Sequence, residues 1–325
     1  MNWQLFWQRK GLLNYLLLPL SGLFYLVSTI RRYSYHLGVF KSYRAPCPVV
    51  VIGNINVGGA GKTPLVIALG RLLKDAGIRY AVISRGYGGR YKNAMLVDSY
   101  AAASVVGDEP ALIHAKLACP VVVAKKRRDA CELILKKHPQ IQVIISDDGL
   151  QHYALARDIE VCVVNATTTL GNGWLLPAGG LRELPGRLHA LDFVVSNGDS
   201  NQPYHYQLFD VGWQHIRSGK NRQHHEFSHD KGHNLCLSGI AHPQAFFSRV
   251  RALGITAEVR AFPDHHRFKQ ADLPDDKTLL MTEKDSVKIK ALNHEDAWFL
   301  KVEAQLSTAF RRHFLAKIQS LLIVH

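Results

Sequence analysis

The chain has 325 residues, 47% of them apolar, which suffices for two domains with cores of their own and excludes a disordered or fibrous polypeptide. Forty Lys and Arg against 26 Asp and Glu leave a formal net charge of +14, an excess that points to a polyanionic partner: nucleic acid, an anionic membrane surface or a phosphorylated substrate. The five cysteines are an odd number with no Cys-x-x-Cys pair, which excludes a disulfide frame or a zinc site and fits reduced core thiols in a cytosolic compartment.

The amino terminus is the first unusual segment. Residues 12–30 are nineteen in a row without a charge, bracketed by Arg9-Lys10 and Arg31-Arg32, with Trp3, Phe6 and Trp7 just outside. As a helix the run would be roughly 28 Å long, near the ~30 Å hydrocarbon core of a bilayer. Asn14, Pro19, Ser21 and Gly22 make it a poor spanning helix, and basic flanks on both sides suit a helix lying among headgroups. The reading is a membrane-associated apolar helix within residues 1–40, whether it spans the bilayer or lies on it.

From residue 48 short apolar runs alternate with amphipathic segments, the mark of a parallel sheet wrapped by helices. An apolar strand over 48–52 leads into Gly53-Asn54-Ile55-Asn56-Val57-Gly58-Gly59-Ala60-Gly61-Lys62-Thr63. Leu65, Ala68, Leu69, Leu72 and Leu73 then recur at helical spacing until Gly77. Strand, glycine-rich loop and Lys-Thr opening a helix form a phosphate cradle. Glycines let backbone N–H groups close around phosphate oxygens, Lys62 reaches the β- and γ-phosphates, and the Thr63 hydroxyl ligates Mg²⁺. Asn56 stands where the P-loop pattern has its first glycine. The nucleotide-binding residues are therefore expected to be Asn56, Val57, Gly58, Gly59, Ala60, Gly61, Lys62 and Thr63.

Further strands are expected over 80–84, 95–98, 120–124, 141–146, 159–165 and 193–196, with a helix over 127–137. The strand at 141–146 runs into Asp147-Asp148-Gly149, and carboxylates at the carboxyl end of such a strand are where nucleotide enzymes hold Mg²⁺. Ser84-Arg85-Gly86-Tyr87-Gly88-Gly89-Arg90 follows another strand and offers arginines on a glycine-rich loop. In Gly107-Asp108-Glu109-Pro110 the aspartate suits a helix cap and equally a general base for an attacking hydroxyl. Lys125-Lys126-Arg127-Arg128 is a basic run at a strand end, suited to a phosphate contact, and Leu175 to Glu183 reads as an ordered loop ending in the pair Arg182-Glu183.

Residues 201–233 are polar and carry His215, His224, His225, His229 and His233 without the spacing of a metal site, which predicts a solvated linker. A smaller α/β domain over 234–325 is then expected, with strands at 234–237, 257–262, 278–281 and 298–302, a helix over 243–253 and a terminal helix from Ser307. Its Phe262-Pro263-Asp264-His265-His266 ends a strand with an Asp-His pair able to face a cleft.

Together these segments resemble the tetraacyldisaccharide 4′-kinase family of lipid A biosynthesis. The resemblance rests on Gly58-Gly59-Ala60-Gly61-Lys62-Thr63-Pro64, Ser84-Arg85-Gly86-Tyr87, Gly107-Asp108-Glu109-Pro110, Asp147-Asp148-Gly149-Leu150-Gln151-His152, the 175–183 run, Phe262-Pro263-Asp264-His265 and Thr282-Glu283-Lys284-Asp285, in the family's order. It implies an α/β fold: a P-loop NTPase-like parallel sheet with helices on both faces over 41–200, and a smaller second domain. It implies transfer of the γ-phosphate of ATP to the 4′-hydroxyl of a tetraacylated disaccharide 1-phosphate at the cytoplasmic face of the bacterial inner membrane, with Mg²⁺. By the same resemblance Lys62 offsets charge on the transferred group, Asp108 is the base and His265 orients or polarises it. Asp147, Asp148 and Glu183, with Thr63, are the Mg²⁺ candidates; Arg85, Arg128, His152 and Arg182 are the substrate contacts. The partners expected are the lipid substrate and the membrane surface, with no nucleic acid and no obligate protein partner. The rival readings are a membrane-associated nucleotide switch acting on a protein and a nucleic-acid-binding ATPase, the latter suggested only by the charge.

Overall fold

The computed structural model describes residues 3–98, 101–227 and 232–324. In chain order its strands are β1 (Val49–Gly53), β2 (Tyr80–Ser84), β3 (Met95–Leu96), β4 (Val121–Val123), β5 (Val143–Asp147), β6 (Ile159–Asn165), β7 (Phe193–Asn197), β8 (His205–His215), β9 (Asn221–Arg222), β10 (Asn234–Ser238), β11 (Glu258–Ala261), β12 (Thr278–Thr282) and β13 (Ala297–Leu306). The helices are α1 (Trp3–Phe6), α2 (Leu12–Leu16), α3 (Leu18–His36), α4 (Lys62–Asp75), α5 (Ala103–Val106), α6 (Asp108–Leu117), α7 (Arg127–Lys137), α8 (Pro243–Ala252), α9 (Glu283–Ile289) and α10 (Thr308–Val324).

All the strands belong to one sheet, ordered β11-β10-β12-β13-β8-β7-β6-β1-β5-β2-β4-β3, with β9 paired to β8. From β8 through β7, β6, β1, β5 and β2 to β4 every neighbour is parallel, so the carboxyl ends of β1, β2 and β5 open on one edge. The strand order reverses around β1, and open α/β sheets bind ligands at such a point. Alternate side chains of the central strands feed opposite faces. Val50 and Ile52 pack with Leu65, Leu69 and Leu73 of α4, Ile113 of α6, and Phe310 and Phe314 of α10. Val49 and Val51 pack with Ala130, Cys131 and Ile134 of α7. Because both faces are covered, these strands read as unbroken apolar runs. All five cysteines are buried free thiols.

The carboxyl-terminal strands do not make a sheet of their own. β13 pairs antiparallel with β8, and β12, β10 and β11 extend from it in parallel. The segment expected as a linker over 201–233 therefore holds an eleven-residue strand. Its polar residues hid an inward pattern: Tyr206 and Leu208 enter the core beneath α10, while Trp213 enters the core shared with Phe246 and Phe247 of α8. His215 hydrogen-bonds the Glu295 carbonyl at 2.6 Å and His224 accepts from Trp213 Nε1 at 3.1 Å, which are structural uses. His229 lies outside the described residues. Among the described residues no group of His, Cys, Asp and Glu is placed to hold a metal ion.

The apolar amino-terminal run is also divided, at Leu17, into α2 and α3, because Pro19 suits only the first turn of a helix. Among the described residues no helix is long and apolar enough to cross a membrane. The polar residues that weakened the run turn out to be its anchors. Asn14 Nδ2 donates to the carbonyls of Phe6 and Ala178 at 3.1 and 2.8 Å, Ser21 Oγ donates to the Leu175 carbonyl at 2.9 Å, and Trp7 Nε1 donates to Pro177 O at 3.1 Å. The 175–181 loop is thus the seat of the amino-terminal helices. Their other face leaves Leu20, Leu23, Leu26 and Ile30 more than half exposed.

Phe314 is fully buried, with its ring centroid 6.1 Å from that of Phe193. Phe314→Ala should cost about 3–5 kcal/mol of stability, read as a lowered denaturant midpoint at unchanged slope; an unchanged midpoint would mean that α10 is not part of the core.

Candidate active site

β1 ends at Gly53, and the glycine-rich loop returns to open α4 at Lys62. Gly61 has φ +91°, and a Cβ there would lie 2.3 Å from both Asn197 Nδ2 and Tyr206 Oη, so only glycine fits. Those two side chains fix the loop from β7 and β8: Tyr206 Oη donates to the Gly61 carbonyl at 2.6 Å and Asn197 Nδ2 to that of Ala60 at 3.1 Å. No side chain caps α4, which leaves its first N–H groups open to an anion. Asn56 earns its departure from glycine by bonding, with Nδ2 donating to the Thr169 carbonyl at 3.2 Å and its own carbonyl accepting from buried Asn54 at 2.7 Å. Lys62 Nζ lies 3.1 Å from Asn54 Oδ1 and 3.4 Å from Asp148 Oδ1, at the floor of this loop.

Register places Asp147 of β5 opposite Ile52 of β1, so the two aspartates follow directly beside the loop. They differ in environment. Asp147 is fully buried; Ser84 Oγ donates to its Oδ2 at 3.3 Å, while Oδ1 has no hydrogen-bond partner among the described residues. Burial, with Glu109 and Asp148 adding negative charge, pushes its carboxyl upward. Asp148 adopts a left-handed φ of +46°. Burial acts against its charge, but Lys62 and Arg182, the latter 3.5 Å away, outweigh that and hold it below the ordinary carboxylate value. Beneath both, buried Arg127 donates from Nη2 to the Asp147 carbonyl at 2.6 Å.

Asp108 opens α6 and is 6% exposed. The 84–90 loop creates its seat: a Cβ on Gly86 would lie 2.5 Å from the Val106 carbonyl, so the loop can lie flat against the residues just before Asp108 only with glycine there. His265 comes from the loop after β11, with Nδ1 2.9 Å from Asp108 Oδ2 and 3.0 Å from Oδ1. It is held in a left-handed φ of +59° by its own N–H, which donates to the Gly239 carbonyl at 3.1 Å, and its ring lies 5.0 Å from that of Tyr87. A non-glycine residue in this conformation is strained, and the surrounding contacts must hold it there. Lys284 and Lys288 of α9 each place Nζ 3.8 Å from Asp108 Oδ2. Burial alone would raise the Asp108 carboxyl; the His265 hydrogen bond and the lysine charges win, and it is held below its usual value.

The structure thus gathers Asn56 to Thr63, Asp147, Asp148 and Arg182 around one loop, and joins Asp108 to His265. Two expected residues, Glu183 and Arg128, have other partners. Both Glu183 oxygens are already engaged: Gln151 Nε2 and Tyr153 Oη donate to them at 2.7 Å each, and Arg187 Nε is 3.4 Å away. Arg128 points outward, paired with Glu132 at 2.7 Å and lying over the Tyr43 ring; Arg127 reaches the site instead, because helical geometry turns neighbours about 100° apart. Arg85 is exposed at the strand end, and His152 lies beside the Arg182 and Gln151 segment. Lys284 and Lys288 were not legible beforehand as site residues. The one available signal was Thr282-Glu283-Lys284-Asp285, in which Thr282 Oγ1 accepts from the Asp285 N–H as an N-cap at 3.1 Å and so sets the phase of α9.

A buried carboxylate kept charged suits a phosphotransferase, since the acceptor's proton must leave as its oxygen attacks phosphorus. The chain belongs to the tetraacyldisaccharide 4′-kinase family: the family described as Tetraacyldisaccharide-1-P 4′-kinase matches residues 13–319. A tetraacyldisaccharide 4′-kinase of Pasteurella multocida is 41% identical over 324 residues, covering 97% of this chain and 98% of the relative. One from Tolumonas auensis is 42% identical over 320 residues, covering 97% of each. The crystal structure of LpxK from Aquifex aeolicus in complex with ATP superposes with a TM-score of 0.81 at 27% identity, covering 96% of this chain and 100% of that one.

His152 gives the site a measurable pH signature. Burial, then Arg127, Arg157, Arg31 and Arg85, depress its imidazole to about 4 from 6.5. The unfolded chain therefore takes up this proton first, so stability is present above pH 6.5 and is lost as the pH falls toward about 4. His152→Gln should shrink the difference in melting temperature between pH 8 and pH 5; an undiminished difference would show that His152 does not carry this acid sensitivity.

Proposed function

We propose that this protein transfers the γ-phosphoryl group of ATP to the 4′-hydroxyl of a tetraacyldisaccharide 1-phosphate, with Asp108 as the base. The carrying observation is the buried Asp108 carboxylate held against His265 at 2.9 Å, in a chain whose glycine-rich loop also brings Lys62 to Asp148. The sugar oxygen attacks the γ-phosphorus as the bond to the β-phosphate oxygen breaks; ADP leaves with that oxygen, and the hydroxyl proton passes to Asp108. His265 donates Nδ1–H to the carboxylate and orients it toward the acceptor. The loop N–H groups, acting as a P-loop, and Lys62 offset charge on the transferred group.

Mg²⁺ suits the residues present. Thr63 stands in the first turn of α4, Asp147 has a buried oxygen without a partner among the described residues, and Asp148 follows it in the chain. Such a site needs few protein ligands, because phosphate oxygens and waters complete the shell of a bound Mg²⁺. Thr63, Asp147 and Asp148 would hold it, and it would neutralise charge spread over the β- and γ-phosphates. Glu183 is left out of this set and braces Gln151 and Tyr153 instead.

The lipid has a matching place. Between α3 and the segments after β5 and β6 lies a groove of about 1310 Å³, lined by Phe24, Val27, Tyr153 and Leu184 together with Arg157 and Arg187. Apolar walls with interspersed guanidinium groups match an acylated, phosphorylated sugar. Arg182 lines this groove, and with Arg85 and His152 it would contact the phosphorylated sugar. The exposed leucines of α3, followed by Arg31 and Arg32, support attachment to an anionic bilayer surface, the cytoplasmic face of the inner membrane.

In detergent micelles with Mg²⁺, γ-labelled ATP should label the tetraacyldisaccharide 1-phosphate, and Asp108→Ala and Lys62→Ala should each lower kcat by at least ~100-fold. Near-native turnover in either variant would sink its assigned role, and ATP hydrolysis without labelled lipid would replace the kinase with a nucleotide switch. Leu23→Asp combined with Leu26→Asp should reduce co-flotation with anionic vesicles while leaving turnover in micelles within a few-fold; undiminished flotation would remove α3 as the attachment surface.

A further inference from the structure

The mechanism above leaves Lys284 and Lys288 unused, yet they are the cations nearest the base. Each Nζ is 3.8 Å from Asp108 Oδ2, too far for a hydrogen bond, and each spends its close contacts elsewhere. Lys284 Nζ donates to Glu109 Oε1 at 3.0 Å. Lys288 Nζ donates to Asp285 Oδ1 at 2.7 Å and to the Gly239 carbonyl at 2.9 Å. We propose that Lys284 and Lys288 are positioning residues for phosphoryl transfer, holding the buried Asp108 carboxylate charged and in place against His265 without occupying the lone pair that must take the acceptor's proton.

The geometry pins them there. Asp285 is fully buried and also accepts from Ser238 Oγ at 3.2 Å, the Gly239 N–H at 3.2 Å and Thr282 Oγ1 at 2.8 Å. The Gly239 carbonyl receives both Lys288 and the His265 N–H, so one node sets both the cation and the imidazole that face the base. At the far end of α6, Lys116 pairs with Glu283 and keeps α9 docked. The charged and titratable groups facing Asp108 are Glu109 on α6, Lys284, Lys288 and Asp285 on α9, Asp264 and His265 after β11, and Tyr87 after β2. Without the lysines burial would meet less opposing charge and the Asp108 carboxyl would rise, and a protonated Asp108 cannot take up the acceptor's proton.

This inference rests on Asp108 being the base, and the experiment separates the two claims. The dependence of kcat on pH is measured for the full chain in micelles, with saturating Mg²⁺, ATP and lipid, for the wild type, Lys284→Met, Lys284→Arg, Lys288→Gln and Asp108→Ala. The phosphates of ATP and lipid titrate alike in every sample, so only displacement between variants is read. The acid limb should move up by about one pH unit or more in Lys284→Met, and in the same direction in Lys288→Gln. Lys284→Arg should return it to the wild-type position. Lys284→Met decides the matter, since its side chain is 21% exposed and the change disturbs the fold least. A uniform loss of kcat with the limb unmoved, alongside an inactive Asp108→Ala, would overturn the inference alone. Wild-type turnover in Asp108→Ala would overturn the base and the inference together.

Discussion

A carboxylate out of water must be met by charge or by hydrogen bonds, and Asp108 is met from across the molecule. His265, its hydrogen-bond partner, is 157 positions further along the chain. Lys284 and Lys288 are further still. This demand organises much else: the glycines that let the 84–90 loop lie flat under α6, the strained turn at His265, and the buried Asp285 that fixes both Gly239 and Lys288.

The β8–β13 pair makes that meeting possible. One strand, β8, places Tyr206 under the glycine-rich loop and Trp213 in the carboxyl-terminal core, so the nucleotide loop and the carboxyl-terminal elements are registered against the same backbone. A continuous sheet with an antiparallel junction is stiffer than two domains on a linker. The 84–90 loop also receives a direct tie, with Arg267 Nη2 donating to the Gly88 carbonyl at 2.9 Å. The glycine-rich loop and the surroundings of Asp108 are therefore tied to one sheet through backbone and short hydrogen bonds.

The amino-terminal helices show how an apolar run acquires a protein-facing side. Asn14 and Ser21 look like flaws in an apolar run, but they bond to the 175–181 loop and give α2 and α3 a protein-facing side. The same loop passes directly into Arg182, which faces Asp148. Helix seat and nucleotide site are thus a few residues apart. The groove alongside α3 opens between them.

Features that depend on near neighbours in the chain could be read from the residues alone. The glycine-rich loop between an apolar strand and an amphipathic helix, the aspartates at the end of β5, and the central strands were legible because period, glycine placement and strand-end position act within about ten residues. The motifs in order also identified the family. Only the tertiary structure decided that β8 lies within a polar, histidine-rich stretch, since its inward residues are recognisable only against the cores they enter. It likewise separated Arg127 from Arg128, which differ by one helical step, and gave Glu183 the partners Gln151, Tyr153 and Arg187. It brought Lys284 and Lys288 to Asp108, because a charge acts through space and its partner need leave no trace nearby in the chain.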